Sequence, residues 1–475
     1  MYDRMQTLTT GALEKIHDAS LEILQNTGVA FQEQLALETF RKNGFKVDGA
    51  TVFFSESQIE KCLASAPSRF TLHARNPVNN VEIGDDDFVF VPAYGAPFIA
   101  LPDGSQRPGT LSDYEDFCKL VQSSKYVDMN GYLMVEPSDT PAATAGLDMV
   151  LANLLLCDKP FMGCQTNRAI ANDLTEMLAI AFCRGNKEQL VEKPCSVSLI
   201  NSLSPLQYSE EMAGALMELA AFGQPAVIAN MVIGGTSGPV RLPGIMTLIN
   251  AEVLAGIALA QLVNPGTPVI YGSTSTVTNF KTGAALVGVT EQAQLVSLTA
   301  QMARFYKLPC RSGGGLCDAY VPDAQASYES AMHLITAVRN GVNFILHSCG
   351  QMAGHLSVSF EKFLLDEEFC GMLRKLVAPV EINEENLDTQ TIAEIGIGGQ
   401  YLSHPKTFKL CRSEYHQQEL FSHDIHDTWK AKGSHRIDET ARDKVKQRLE
   451  QYRRPEIDPQ IEKKLTEYVK QRKSA

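Results

Sequence analysis

The chain has 475 residues, 44% of them hydrophobic and 20% charged, with a formal net charge of −13. That length and apolar content exclude a disordered chain, and the negative surface excludes docking on nucleic acid or on an anionic membrane, both of which need clustered Lys and Arg. Residues 1–6 carry no apolar signal segment, and no run is expected to reach the ~18 apolar residues of a bilayer span. Eleven cysteines scattered without a CxxC pair read as reduced, core-filling thiols in a cytoplasmic protein, with no metal site.

The first 86 residues predict an N-terminal α+β cap. An amphipathic helix covers 10–27, a second lies near 32–42, and a third follows the Ser55 cap as far as residue 66. A β-hairpin of 70–75 and 81–83 then turns through Asn76-Pro77-Val78-Asn79-Asn80. From 87 to 380 short apolar or β-branched runs alternate with helical patterns. The runs are 88–93, 127–134, 160–165, 195–201, 226–232, 268–273, 309–313 and 343–347. The helices that follow them are expected over 111–123, 147–157, 173–183, 210–222, 249–262, 291–306, 325–338 and 360–376.

Eight βα units with buried-type strands predict an α/β fold, a (β/α)8 TIM barrel. An open doubly wound sheet is the rival, but it would open with a Gly-rich phosphate turn, and the first strand here ends in Tyr94-Gly95-Ala96-Pro97. Residues 381–475 predict a mostly helical C-terminal extension. It holds an acidic helix start at Glu384-Glu385, a glycine-rich Gly396–Gly399 stretch and a charged tail broken at Arg454-Pro455. Such an arm would pack on the barrel or on a neighbouring subunit, and a homo-oligomer is expected.

Barrel enzymes place their chemistry at the carboxyl ends of the strands. The residues there are Tyr94, Phe98, Asn130, Tyr132, Gln165, Asn201, Asn230, Tyr271, Ser273, Arg311, Gly313, Gly314, Gly315 and His347. The set is rich in aromatics and amides and nearly lacks carboxylates. It therefore fits neither a two-carboxylate glycosidase nor a metal hydrolase. Aromatic faces suit a cationic ligand, and the amides of Gly313–Gly315 could form an anion nest. Each feature also has a purely structural reading, the aromatics as core filler and the glycines as a tight turn.

The ordered segments Val91-Pro92-Ala93-Tyr94-Gly95-Ala96-Pro97, Ile270-Tyr271-Gly272-Ser273, Ser312-Gly313-Gly314-Gly315, Val321-Pro322-Asp323-Ala324-Gln325 and Phe360-Glu361-Lys362-Phe363 resemble the trimethylamine methyltransferase family over the whole chain. That resemblance implies methyl transfer from an amine to the Co(I) of a separate corrinoid protein. It implies no tightly bound cofactor, the corrinoid (cobalamin) arriving on a cognate partner. Archaeal trimethylamine members carry pyrrolysine in the region corresponding to 348–355, and this chain has only standard residues there. It is thus similar to the branch acting on quaternary amines. Glycine betaine is the lead substrate, with carnitine, proline betaine and γ-butyrobetaine as alternatives of the same class.

A quaternary ammonium leaves as a neutral tertiary amine, so no acid or base is called for. On this resemblance Tyr94, Phe98, Tyr271 and Phe360 would surround the cation. Arg311, His347, Gln351 and the Gly313–Gly315 amides would hold the carboxylate, with His347 and Gln351 as positioning groups. Asn130, Gln165 and Asn230 would orient the substrate. Two other classes stay open. A barrel lyase or aldolase would need a Schiff-base lysine, for which Lys281 and Lys307 are the nearest candidates, and a non-catalytic betaine-binding protein would bind without turnover.

Overall fold

Helices begin where the sequence supplies caps. The computed structural model describes residues 4–164 and 166–474. Helix α1 (Thr10–Asn26) starts on Thr9, whose hydroxyl accepts from the Ala12 N–H, and α2 (Gln34–Lys42) follows it. Helix α3 (Glu56–Ser65) opens with a reciprocal capping box between Ser55 and Gln58. Three strands of three residues each, Val29–Phe31, Lys46–Asp48 and Thr51–Phe53, join these helices into a small sheet. They are too short to show a period in sequence. Val29–Phe31 also pairs with Gln207–Tyr208, and the rings of Phe31 and Tyr208 stack at 5.0 Å. The expected hairpin forms as Arg69–Leu72 against Val81–Gly84.

Seven short strands then form one curled, all-parallel sheet. They are β1 (Val89–Phe90), β2 (Phe161–Met162), β3 (Ser196–Asn201), β4 (Ala226–Ala229), β5 (Val269–Gly272), β6 (Cys310–Arg311) and β7 (Phe344–Ile345). Their spatial order is β1-β7-β6-β5-β4-β3-β2. Every strand residue except Asn201 is buried, as strands covered on both faces should be.

The run expected as a strand over 127–134 forms none, a correction to the sequence reading. After one isolated bridge from Asn130 to Phe161 the chain bends over residues 132–135, and Gly131 passes so close to Met134 that a Cβ on it would lie 2.6 Å away. Residues 128–130 nonetheless touch both edges of the sheet. The Asp128 N–H donates to the Phe90 carbonyl at 3.0 Å, and the Asn130 N–H donates to Pro160 at 2.8 Å. The Met162 N–H in turn donates to the Asn130 carbonyl at 3.0 Å. The Asp128 carboxylate accepts from the Phe90 N–H and from Arg374.

Helices α4 (Leu111–Ser123) and α5 (Ala142–Leu156) both lie between β1 and β2, and α6 (Arg168–Phe182), α7 (Glu210–Ala221), α8 (Leu242–Val263), α9 (Thr290–Phe305), α10 (Ala324–Asn340) and α11 (Phe360–Val377) then follow β2 to β7 in turn. Three of them start five to seven residues earlier than apolar periodicity suggests. Their first turns, entered through Pro141, the Asn167 cap and the Leu242-Pro243 pair, precede the regular apolar stripe.

Helix α8 corrects a second expectation, because its 22 residues are long and apolar enough to cross a bilayer. It is instead buried among α1, α3, α7 and α9, which is why it is apolar on all faces. Its few polar groups, Asn250, Glu252 and Gln261, are each hydrogen-bonded inside the fold.

The C-terminal extension holds the short helices α12 (Glu384–Leu387), α13 (Thr389–Ile395), α14 (Pro405–Leu410) and α15 (His426–Ala431), then α16 (Ile437–Glu450) and α17 (Pro459–Ser474). The last two form a strap. Helix α16 lies on α11 and α4, where Arg442 pairs with Glu361 and Arg448 with Glu367. Helix α17 lies on α5 and α6, where Arg472 pairs with the buried Asp173 at 2.7 Å. One hydrophobic core runs from Leu13 through the sheet to Val469, joining cap, sheet and strap.

Candidate active site

Two small sheets lie beyond the carboxyl ends of the parallel strands and bring their loops together. One pairs Phe98–Ala100 from the loop after β1 with Ser357–Val358 from the loop after β7, and includes Gln351–Met352. The other pairs Ile233–Gly234 with Thr276–Thr278, from the loops after β4 and β5. Within this frame the loop after β7 is strained. His347, Ala353 and His355 are non-glycine residues at φ +63°, +49° and +76°. Such conformations cost about 1–3 kcal/mol each and persist where surrounding structure enforces them, often at functional sites.

His347 is the centre of a buried polar cluster. Its Nδ1 lies 3.3 Å from Arg311 Nη2, and its ring meets the His355 ring at 4.8 Å and the Tyr94 ring at 6.4 Å. A guanidinium only donates, so Nδ1 must accept. The ring proton therefore sits on Nε2, the atom left to donate to the backbone carbonyl of Tyr94. Gln351, fully buried, accepts the Tyr94 N–H on Oε1 at 3.2 Å. Its Nε2, the Nε of Arg311 and the Nε2 of His355 are buried without hydrogen-bond partners among the described residues.

The charge state of the cluster follows from burial. Burial, then His355 and Arg311, hold His347 well below the usual histidine range, and burial followed by Arg311 pushes His355 down to about 4. Both are neutral near pH 7. Burial also lowers Arg311, to about 10, so it remains charged. Among the described residues no carboxylate pairs with it. A buried cation with no counter-ion is costly and marks a place for an anionic ligand.

These shifts fix a pH dependence. His355 stays neutral down to about pH 4, His347 is held well below the usual histidine range, and Arg311 stays charged up to about pH 10, so anion affinity should be flat between pH 5.5 and 8.5. A calorimetric titration of affinity with a midpoint near 6.5 would contradict this assignment. The stability sign is the opposite of that of a salt-bridged histidine. The folded pKa values lie below the unfolded value, so the unfolded chain binds more protons as pH falls below about 6.5, and stability declines through that window.

An apolar cleft of about 900 Å³ adjoins the cluster through Tyr94. Phe98, Tyr132, Leu133, Leu199 and Met212 form its walls, and Glu136 stands at its rim. The Tyr94 and Tyr132 rings are 6.3 Å apart, and the Tyr132 hydroxyl accepts from the Cys164 thiol at 2.8 Å. The arrangement is bipolar, with donors and one positive charge beside aromatic faces. It can hold a zwitterion whose carboxylate and cationic ends are a few ångströms apart.

Of the residues expected at the site, Tyr94, Phe98, Arg311, His347 and Gln351 come together, and Asn201 joins the cleft wall. Others are placed elsewhere. Tyr271 points away from the cluster and donates to Asn250 Oδ1 of α8 at 2.9 Å, because alternation along β5 turns it to the helix layer. Tyr271→Phe should lower thermal stability by about 1 kcal/mol, through loss of that buried bond, and leave ligand affinity unchanged. Equal loss of affinity would put Tyr271 back at the site.

Phe360 stacks on Phe117 of α4 at 4.2 Å. Asn230 is committed to Glu252 of α8 at 2.9 Å, and Asn130 lies against the Cys118 thiol of α4. The glycines of Gly313–Gly315 serve close passage rather than an open nest. A Cβ on Gly314 would lie 2.2 Å from the Leu346 carbonyl, and the Gly315 N–H is taken by the His347 carbonyl. Gln165 lies outside the described residues. Lys281 sits on an exposed loop and Lys307 beyond the end of α9, so neither is a strand-end lysine. His355 was not singled out by the sequence reading. Only the left-handed backbone around it marks it, and that has no sequence signal.

Comparisons with known proteins agree with one another. The family model described as trimethylamine methyltransferase (MTTB) matches residues 1–475. A glycine betaine methyltransferase of Desulfitobacterium hafniense (strain Y51) is 45% identical over 465 residues, covering 98% of this chain and 96% of that protein. A proline betaine:corrinoid methyltransferase of Eubacterium limosum is 31% identical, covering 89% of this chain and 87% of that protein. A trimethylamine methyltransferase MttB1 of Methanosarcina acetivorans is 30% identical, covering 90% and 88%. The solved monomethylamine methyltransferase MtmB of Methanosarcina barkeri shares the fold, with a TM-score of 0.51 at 13% identity, covering 94% of this chain and 88% of that one.

Proposed function

The chain belongs to the trimethylamine methyltransferase family, and from that premise we propose that it transfers a methyl group from glycine betaine to the Co(I) of a corrinoid protein. The observation that carries the substrate class is Arg311, a buried cation beside an aromatic cleft with no carboxylate partner among the described residues. A free amine has nothing to place there, whereas a betaine carries both the carboxylate for Arg311 and the trimethylammonium for Tyr94, Phe98 and Tyr132. The 45% identical relative, which bears the name glycine betaine methyltransferase, supports the shortest betaine.

The chemistry asks little of acids or bases. The Co(I) lone pair attacks a methyl carbon, the C–N bond breaks, and its electron pair stays on nitrogen, leaving dimethylglycine and methyl-Co(III). The charge of the quaternary ammonium is lost as the bond breaks, so a site that over-stabilised it would slow the step. Aromatic faces hold the cation without a counter-charge in contact. Neutral His347 and Gln351 position the carboxylate, and the protein gains rate chiefly by aligning N–CH3 with the attacking cobalt.

The parallel sheet, joined edge to edge through residues 128–130, reads as a (β/α)8 barrel with the site at its carboxyl mouth. The cobalt reaches that mouth on a partner protein in the cytoplasm, so the corrinoid is a co-substrate.

A substrate panel tests the reading. Glycine betaine, carnitine, proline betaine, γ-butyrobetaine and trimethylamine are each added to the protein with cob(I)alamin, and methyl-Co(III) is followed by its absorbance. Glycine betaine should turn over fastest and trimethylamine not at all. Turnover of trimethylamine at the betaine rate would overturn the assignment of Arg311.

A further inference from the structure

The loops that bring the site together also carry an unpartnered apolar rim. Phe98 after β1, Val240 after β4, Phe280 after β5, Tyr320 after β6 and Leu356 after β7 are all exposed, Phe280 to 71% and Tyr320 to 65%. The loops that carry them are tied to one another through backbone and side-chain hydrogen bonds. The Phe98 N–H donates to the Leu356 carbonyl, and the Ala353 N–H donates to Ala319, next to Tyr320. Asp318 accepts from the Val287 and Gly288 N–H groups, tying the loop after β5 to the loop after β6. The Phe280 ring covers Gly235 in the loop after β4, and the hydroxyls of Thr236 and Thr278 meet at 2.6 Å.

Large apolar side chains set together on one face of a fold mark an interaction site. Here the rim is continuous with the substrate cleft, because Phe98 belongs to both. That continuity decides the occupant. A second copy seated permanently on the rim would seal the opening through which the methyl group must leave. A transient partner fits, and it must present a cobalt centre to the opening. Exposed polar residues beside the apolar ones, such as Lys281 and Thr282, keep the surface soluble when the partner departs.

We infer that this rim is the docking surface for the corrinoid protein, with Phe280 and Tyr320 as its anchors; the inference rests on the methyl-transfer reading above. Neither anchor touches the Arg311 cluster or lines the cleft, so changing them leaves the chemistry in place.

The test compares two methyl acceptors. One is cob(I)alamin, which needs no protein docking. The other is the corrinoid protein of the source organism, isolated from betaine-grown cells by its cobalt absorbance and by accepting methyl from the wild-type enzyme. The double variant Phe280→Glu with Tyr320→Glu should raise KM for the corrinoid protein about 30-fold. Its rate with cob(I)alamin and glycine betaine should equal the wild-type rate, which also shows that it folds. A single Val240→Glu variant should give a smaller shift in the same direction.

An unchanged KM for the corrinoid protein overturns the docking surface and leaves the methyltransferase reading intact. Wild-type turnover with cob(I)alamin but with no corrinoid protein from those cells also overturns it. Failure of the wild type with cob(I)alamin overturns the methyltransferase reading itself. A parallel loss with both acceptors would assign these residues to folding, against the proposal.

Discussion

Arg311→Met should weaken glycine betaine binding by about 3 kcal/mol, roughly 150-fold in Kd, while the unliganded protein melts no lower than wild type. The two halves of that result separate a ligand-binding arginine from a structural one. A structural buried arginine has a carboxylate partner, and removing it strands that partner at a cost of several kcal/mol. Among the described residues Arg311 meets neutral His347 at 3.3 Å, and its Nε has no hydrogen-bond partner. Methionine of similar length removes an uncompensated charge, a change that is neutral or stabilising in the empty protein. With substrate present the balance reverses, because the carboxylate then enters a buried site with no opposite charge. Calorimetry measures the affinity, and thermal unfolding without ligand measures the stability. A fall in melting temperature with unchanged affinity would show that Arg311 only supports the fold.

Tyr94→Leu should weaken glycine betaine binding by about 2 kcal/mol, roughly 30-fold, whereas Tyr94→Phe should keep most of the affinity. The ring face supplies the attraction to the trimethylammonium, and phenylalanine retains it while leucine of comparable apolar bulk does not. Tyr94 occupies the junction between the Arg311 cluster and the aromatic cleft, with Tyr132 at 6.3 Å and His347 at 6.4 Å. A neutral isostere isolates the charge term. In 3,3-dimethylbutanoate a carbon replaces the ammonium nitrogen, so shape and carboxylate remain and the cation is lost. Wild type should prefer betaine over this isostere, and Tyr94→Leu should bind both alike. Equal binding by wild type would show that the cleft reads shape alone.

Much of this arrangement was legible in the sequence, for identifiable reasons. Seven of the eight expected strands form as parallel strands because buried strands are written as apolar runs between helix caps. The run at 127–134 forms one isolated bridge at Asn130 and then bends over residues 132–135, although residues 128–130 still link the sheet edges. Arg311, His347, Tyr94 and Phe98 were expected near one another because the ends of parallel strands and the loops after them converge, and the structure brings them together.

What stayed illegible depends on side-chain direction. Tyr271 and Asn230 occupy strand ends in the same way as Arg311, yet alternation and local twist turn them to Asn250 and Glu252 of α8. The contribution of His355 rests on a left-handed backbone five residues after the glycine turn at Gly350. The cleft wall includes Met212, from the first turn of α7 rather than from the end of a parallel strand. Apolar periodicity places such a residue in a helix but not in a site.

The proposed reaction moves one methyl group from glycine betaine to cobalt. Its most direct test is a single-turnover reaction with excess Co(I) acceptor, in which methyl-Co(III) is measured by absorbance and dimethylglycine by NMR in the same sample. The account predicts one dimethylglycine and one methyl-Co(III) for every betaine consumed. Betaine that binds but remains intact, or dimethylglycine that appears without methyl-Co(III), would contradict it.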